Sequence, residues 1–260
     1  MYVPIVVLLF LIEKSIFMKG LIVMNRKALK QEAKETLKGR WKEAVLLNLI
    51  PTAIMIIASI ILVSLFMLFF SLFDFNSYSS YSSMDHANNA SSSGGGGLIS
   101  GLLTALFTVG ISWTFLDLLR NPGREIRPFK DATRGFRDAF LGPIIGLYLL
   151  QAVFIFFWTL LFIIPGFIKG YAYSQTYFIY YDTYATTGEK LRFTDCITAS
   201  RQLMKGHKMQ LFILDLSFIP WYLLGILTFG IGFLWITPYV NTTKAAFYNT
   251  LAEAETIEEN

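Results

Sequence analysis

Residues 44–73 read AVLLNLIPTAIMIIASIILVSLFMLFFSLF, thirty residues without a charge. A helix needs about 20 apolar residues to cross the hydrocarbon core of a bilayer, so this stretch predicts a membrane helix with length to spare. Three more charge-free stretches follow: 87–116, whose apolar part begins at Leu98, then 139–168 and 216–243. The composition agrees. Only 15% of the 260 residues are charged and 54% are hydrophobic, against about 25% charged in a soluble domain, and the mean hydropathy is +0.52. A soluble enzyme, a secreted disulfide scaffold and a disordered chain are excluded. One cysteine, Cys196, excludes an intramolecular disulfide, and with only His86 and His207 beside it no metal or cofactor is expected.

Orientation follows from Lys and Arg in short loops, which stay cytoplasmic. They gather in three clusters: Arg26 to Lys42, Arg120 to Arg137, and Lys190 to Lys208. If all three lie inside, two spans separate each from the next. This predicts an all-α fold of six transmembrane helices in three hairpins, each hairpin preceded by a short basic amphipathic interfacial helix. The first hairpin is roughly 44–70 and 98–119. The second turns at Pro165-Gly166 and returns through FIKGYAYSQTYFIYYD, residues 167–182. The third is roughly 209–225 and 231–248. Both termini, including the acidic tail 251–260, then lie inside. A four-span alternative leaves 170–208 outside with its basic residues.

The clusters also suggest a threefold repeat over 26–119, 128–184 and 191–250, anchored on Gly39, Gly142 and Gly206. A base stands five residues before each glycine (Lys34, Arg137, Arg201), and a polar residue nine after each (Asn48, Gln151, Asp215). The amphipathic pieces fit helical periodicity: Ala28, Leu29, Ala33, Thr36 and Leu37 share one face, and Leu191, Cys196, Ala199, Leu203 and Met204 another.

Ionisable residues within a span are costly and therefore functional suspects. Asp215 and Lys244 fall at similar depth on adjacent antiparallel spans and are expected to pair. With Asn48 and Gln151 they form a candidate intramembrane polar cluster, either a coupling site for a proton or ion or glue between helices. Lys34, Arg134, Arg137, Arg201 and Lys205 are candidate contacts for anionic lipid of the inner leaflet. No nucleic-acid partner is expected, and the sequence names no protein partner. There is no P-loop, HExxH or GxSxG motif, so an enzyme is not expected.

Two segments stand apart. Residues 74–97, with NSYSSYSSMDHANNASSSGGGG at 76–97, read as a flexible outer loop. Residues 1–23 read as an over-annotated start preceding Met24, or as a short interfacial extension, within a single transmembrane domain that otherwise spans 24–250.

MNRKALKQEAKETLKGRW (24–41), IIPGFIKGYAYSQTYFI (163–179) and SRQLMKGHKMQLFILDLSFIPWYLLGILTFGIGFLWITPYVNTTKAAFY (200–248) resemble the domain-of-unknown-function 975 family. The resemblance implies an integral membrane protein of the kind found mostly in Firmicutes, beginning at the position of Met24. It adds no catalytic or ligand residues. The function expected is a non-enzymatic, multi-pass protein of the cytoplasmic membrane, a small permease-like or transport-accessory component. The alternative is a membrane scaffold acting on lipid through its basic helices.

Overall fold

The computed structural model describes residues 25–72, 93–161 and 163–259, and among them every regular element is helical. The reading of residues 1–23, like most of the Ser/Gly-rich loop, lies outside the described residues. In chain order the helices are α1 (Arg26–Leu37), α2 (Trp41–Leu72), α3 (Ser93–Arg120), α4 (Pro128–Ala132), a 3-10 turn (Arg134–Phe136), α5 (Asp138–Leu161), α6 (Ile163–Tyr173), α7 (Thr176–Thr187), α8 (Phe193–Leu203), α9 (Lys208–Leu216), α10 (Ile219–Leu227) and α11 (Phe233–Glu259). Among the described residues four stretches are long and apolar enough to cross a membrane: Trp41–Leu65, Ser100–Arg120, Asp138–Leu160 and Lys208–Leu227.

Each boundary has a local cause. Asn25 caps α1 by accepting from the Lys27 amide at 3.1 Å, a contact worth about 1 kcal/mol. Gly39 and Gly206 end the amphipathic helices α1 and α8 and admit the apolar ones, with φ of +80° and +88°, a region that favours glycine. The acidic end 251–259 continues α11 as helix rather than as an irregular tail.

Two expectations need correcting. Helix α3 begins at Ser93 and takes Gly94 to Gly97 with it, so the irregular loop does not extend to 97. Glycine costs a helix about 1 kcal/mol per residue, but extending an existing helix is far cheaper than nucleating one. The second correction concerns Gly142, which lies inside α5 and not at a hinge. The turn before α5 holds Gly135 instead, and Gly135 follows Arg134 as Gly39 follows Lys38 and Gly206 follows Lys205. Gly135 lacks the positive φ of Gly39 and Gly206, and nine residues beyond it stands the apolar Ile144.

The buried core lies toward the basic end. Leu29, Ala33 and Leu37 of α1 belong to the same core as Ala245, Ala246 and Leu251 of α11, together with Trp113, Phe115, Leu147 and Tyr180. Toward the other end the apolar side chains face outward: Ile60 of α2 is 60% exposed, Leu160 of α5 is 74% exposed and Leu227 of α10 is 76% exposed. A face of this extent has no counterpart on an ordinary soluble monomer.

Charge pairs tie the returning helices together at the basic end. Arg120, the last residue of α3, grips Asp182 of α7 with both nitrogens at 2.6 and 2.9 Å. The Tyr248 hydroxyl of α11 donates to the same carboxylate at 2.6 Å, and Arg120 also donates to Asn249 at 2.8 Å. Asp117 accepts from Arg124, from Arg134 at 2.8 Å and from the Tyr181 hydroxyl at 2.8 Å. Arg40 donates to the Pro122 carbonyl and brings the first basic cluster to the second.

Candidate functional site

Asp215 and Lys244 meet: the Lys244 ammonium stands 3.0 Å from Oδ1 of Asp215. The Tyr171 hydroxyl donates to the other carboxylate oxygen at 3.2 Å. Their positions follow from the breaks in the chain. Asp215 sits just before the turn at Ser217-Phe218 that separates α9 from α10. Tyr171 is near the end of α6, where it gives way to α7.

That second break frees backbone carbonyls, which cannot be left unpaired in an apolar setting. Gln151 donates to the Tyr173 carbonyl at 3.2 Å, Thr176 to the same carbonyl at 2.7 Å, and Ser200 of α8 to the Ala172 carbonyl at 2.8 Å. The Ser200 hydroxyl also accepts the Gln175 amide at 3.2 Å. The buried face of α8 therefore ties the end of α6 to the start of α7.

Gln151, Tyr171, Asp215 and Lys244 line one cavity of about 900 Å³. Asn48 is not among its lining residues. It stands one contact away, with its Oδ1 accepting from Asn241 at 3.2 Å, and Asn241 does line the cavity. The four residues singled out in the sequence are thus three on the wall and one behind it. Helix α3 contributes Thr104, Thr108 and Ser112, one per turn. Sequence reading missed that stripe, although hydroxyls at four-residue spacing in an apolar run carry the signal. Asn241, Tyr171 and Gln175 were missed as well, and for Gln175 no local pattern gives a hint. It is 3% exposed and lines the cavity, and its Oε1 has no hydrogen-bond partner among the described residues. An apolar cavity with a charge pair and several hydroxyls on its wall suits a small molecule with both apolar and polar parts.

The five basic residues divide. Arg137, Arg201, Lys205 and Lys34 are exposed. Arg134 is not: its side chain is 11% exposed, lies 4.7 Å over the Tyr181 ring and pairs with Asp117. Its expected role at the lipid surface is replaced by an internal one, because the 3-10 turn aims it into the bundle.

Cys196 is fully buried, and burial, helped by Asp195, pushes its thiol up to about 11. Only the thiolate reacts with maleimides. Below about pH 9 the native thiol stays protonated and silent from either side of a membrane, and labelling appears only after unfolding in detergent. Labelling of the native protein at neutral pH overturns this burial. Among the described residues no group of His, Cys, Asp and Glu is arranged to hold a metal ion.

Fold and site together define a protein whose described residues form helices, four stretches of them of membrane-crossing length, with a mainly apolar cavity that carries an acid–base pair on its wall. The chain belongs to the family described as Protein of unknown function (DUF975), whose model matches residues 23–169 and 160–255. No curated protein and no solved structure matches it.

Proposed function

We propose that this chain is a non-enzymatic, six-pass protein of the cytoplasmic membrane that holds a small amphiphilic molecule in its central chamber, as a permease-like or transport-accessory component. The carrying observation is the cavity of about 900 Å³ with the Asp215–Lys244 pair on its wall. Six passes are supported by the meeting of α3, α7 and α11 around Asp182, since each apolar excursion then comes back to the end it left. That end also carries the basic clusters, which argues for a cytoplasmic location under the positive-inside rule. The three hairpins read as copies of one unit, each opened by a base and a glycine: Lys38-Gly39, Arg134-Gly135 and Lys205-Gly206.

Cysteine accessibility tests this reading, with the buried native thiol as a silent background. Thr187 lies at the exposed end of α7, and Thr108 lies on the cavity wall. In intact cells Thr187→Cys resists an impermeant maleimide and labels only after permeabilisation. Thr108→Cys reacts with a small charged thiosulfonate. Labelling of Thr187→Cys in intact cells removes the six-pass topology, and an unreactive Thr108→Cys removes the permeation path.

A scaffold acting on lipid is the second reading, favoured by the exposure of Arg137, Arg201 and Lys205. It predicts loss of function on neutralising those three, with Asp215→Asn tolerated.

A further inference from the structure

Helix α1 carries Arg26, Lys30 and Lys34 at four-residue spacing, with Lys27 beside them and Lys38 at its C-cap. Like charges at this spacing repel by a few tenths of a kcal/mol per pair, so the stripe weakens the helix that bears it. Across from it stand Trp221 of α10 and Tyr239 of α11. Between them runs a groove of about 560 Å³ lined by Lys27, Lys30, Lys34 and Lys38, with Glu35 as the one carboxylate on its wall.

Two of these cations have partners across the groove. The Lys30 ammonium donates to the Ser217 carbonyl at 3.1 Å and sits 4.3 Å over the Phe218 ring. The Lys34 ammonium lies 5.7 Å from the Tyr239 ring centre. Among the described residues no ion pair holds Lys27, Lys30, Lys34 or Lys38, while Glu35 accepts from Gln31 at 3.0 Å. Burial, with Arg26 and Lys34 nearby, lowers the pKa of Lys30.

Trp221 and Tyr239 meet edge to face at 5.9 Å, and Trp221 is 40% exposed. An amphipathic ring beside a cationic stripe is the arrangement found where a protein meets the headgroup layer. A basic pocket between helices on the cytoplasmic side suits a phosphate headgroup.

We propose that the groove between α1 and the α10–α11 pair is a binding site for the phosphate headgroup of an anionic lipid. The lysines neutralise the phosphate, and Trp221 covers the glycerol end. The site is separate from the central chamber and stands whether or not the chamber binds anything.

Native mass spectrometry of the full chain in neutral detergent tests the proposal. The probes are phosphatidylglycerol, phosphatidylcholine and inorganic phosphate, one at a time and in competition. One phosphatidylglycerol binds per chain in preference to phosphatidylcholine. Lys34→Gln/Lys38→Gln, which changes two exposed side chains with no backbone contact, weakens that binding roughly thirtyfold, at about 1 kcal/mol per lysine. Lys30→Arg keeps it. Lys190→Gln/Arg192→Gln, a control of equal charge at two exposed sites on another surface, leaves it unchanged.

Equal loss in the control pair overturns the groove, because the effect is then diffuse surface charge. Equal binding of phosphatidylcholine overturns the anionic lipid. Displacement by inorganic phosphate at matched concentration assigns the groove to a free anion and overturns the lipid as its occupant.

Discussion

Asp117→Ala is expected to cost the fold about 3 kcal/mol, the lower end for breaking a buried pair by removing one partner. Asp117 accepts from Arg124, Arg134 and Tyr181 at once. Arg124 is about a quarter exposed and turns to Asp131, its second carboxylate at 3.1 Å. Arg134 has no such escape. At 11% exposed it is left in the bundle with a charge, the Tyr181 ring and no carboxylate. Thermal unfolding of the purified protein in detergent reads the loss. The double variant Asp117→Leu/Arg134→Met recovers at least half of it, since replacing both charges removes the desolvation penalty along with the attraction. A double variant no better than the single one shows that the loss has another origin. Asp195→Ala, at an exposed site, changes stability by less than about 0.5 kcal/mol.

The second large effect is expected at Gly135. A Cβ built there comes within 2.1 Å of the Leu106 carbonyl oxygen and 3.0 Å of its carbon. The obstacle is backbone of α3, which no rotamer change can clear. Gly135→Ala therefore forces the 3-10 turn away from α3 and drags Arg134 off Asp117. The expected cost is about 3 kcal/mol, the top of the usual range for overpacking, and it shows as loss of folded protein in size-exclusion chromatography. Gly142→Ala is the informative control. Nothing lies within 4 Å of its added Cβ, and alanine favours a helix interior over glycine by about 1 kcal/mol. It leaves stability unchanged or raises it. If the two variants behave alike, the close approach at Gly135 is not what holds α3 against the turn.

These two glycines mark where sequence reading succeeded and where it slipped. Gly39 and Gly206 are legible because each ends a basic amphipathic stretch and opens an apolar one. Gly142 has the same look in the sequence, yet it lies inside α5; the tight position is Gly135, whose constraint is a contact with a carbonyl far along the chain. No local spacing encodes such a contact. The same holds for Arg134. As a base in a basic cluster it reads as a surface charge, and only the path of the 3-10 turn sends it inward to Asp117.

The candidate site divides the same way. Asp215 and Lys244 are conspicuous because charge inside an apolar run is expensive and demands a partner, and each supplies the other at 3.0 Å. Asn48 and Gln151 stand out for a similar reason, and the structure puts Gln151 on the cavity wall and Asn48 behind it. Asn48 pairs with Asn241, and Gln151 donates to a carbonyl freed by the break between α6 and α7.

By itself the sequence determined the helical class, the four longest apolar stretches and the sorting of basic residues to three segments. It also marked the pairing of one acid with one base. Hydropathy and charge are properties of single residues summed over a window, and the bilayer length against which they are measured is fixed. The tertiary structure alone decided which side chains share a wall, which arginine turns inward and which glycine is irreplaceable. Those outcomes depend on distances between residues remote in the chain, and they are set by how the broken helices pack and where freed carbonyls find donors.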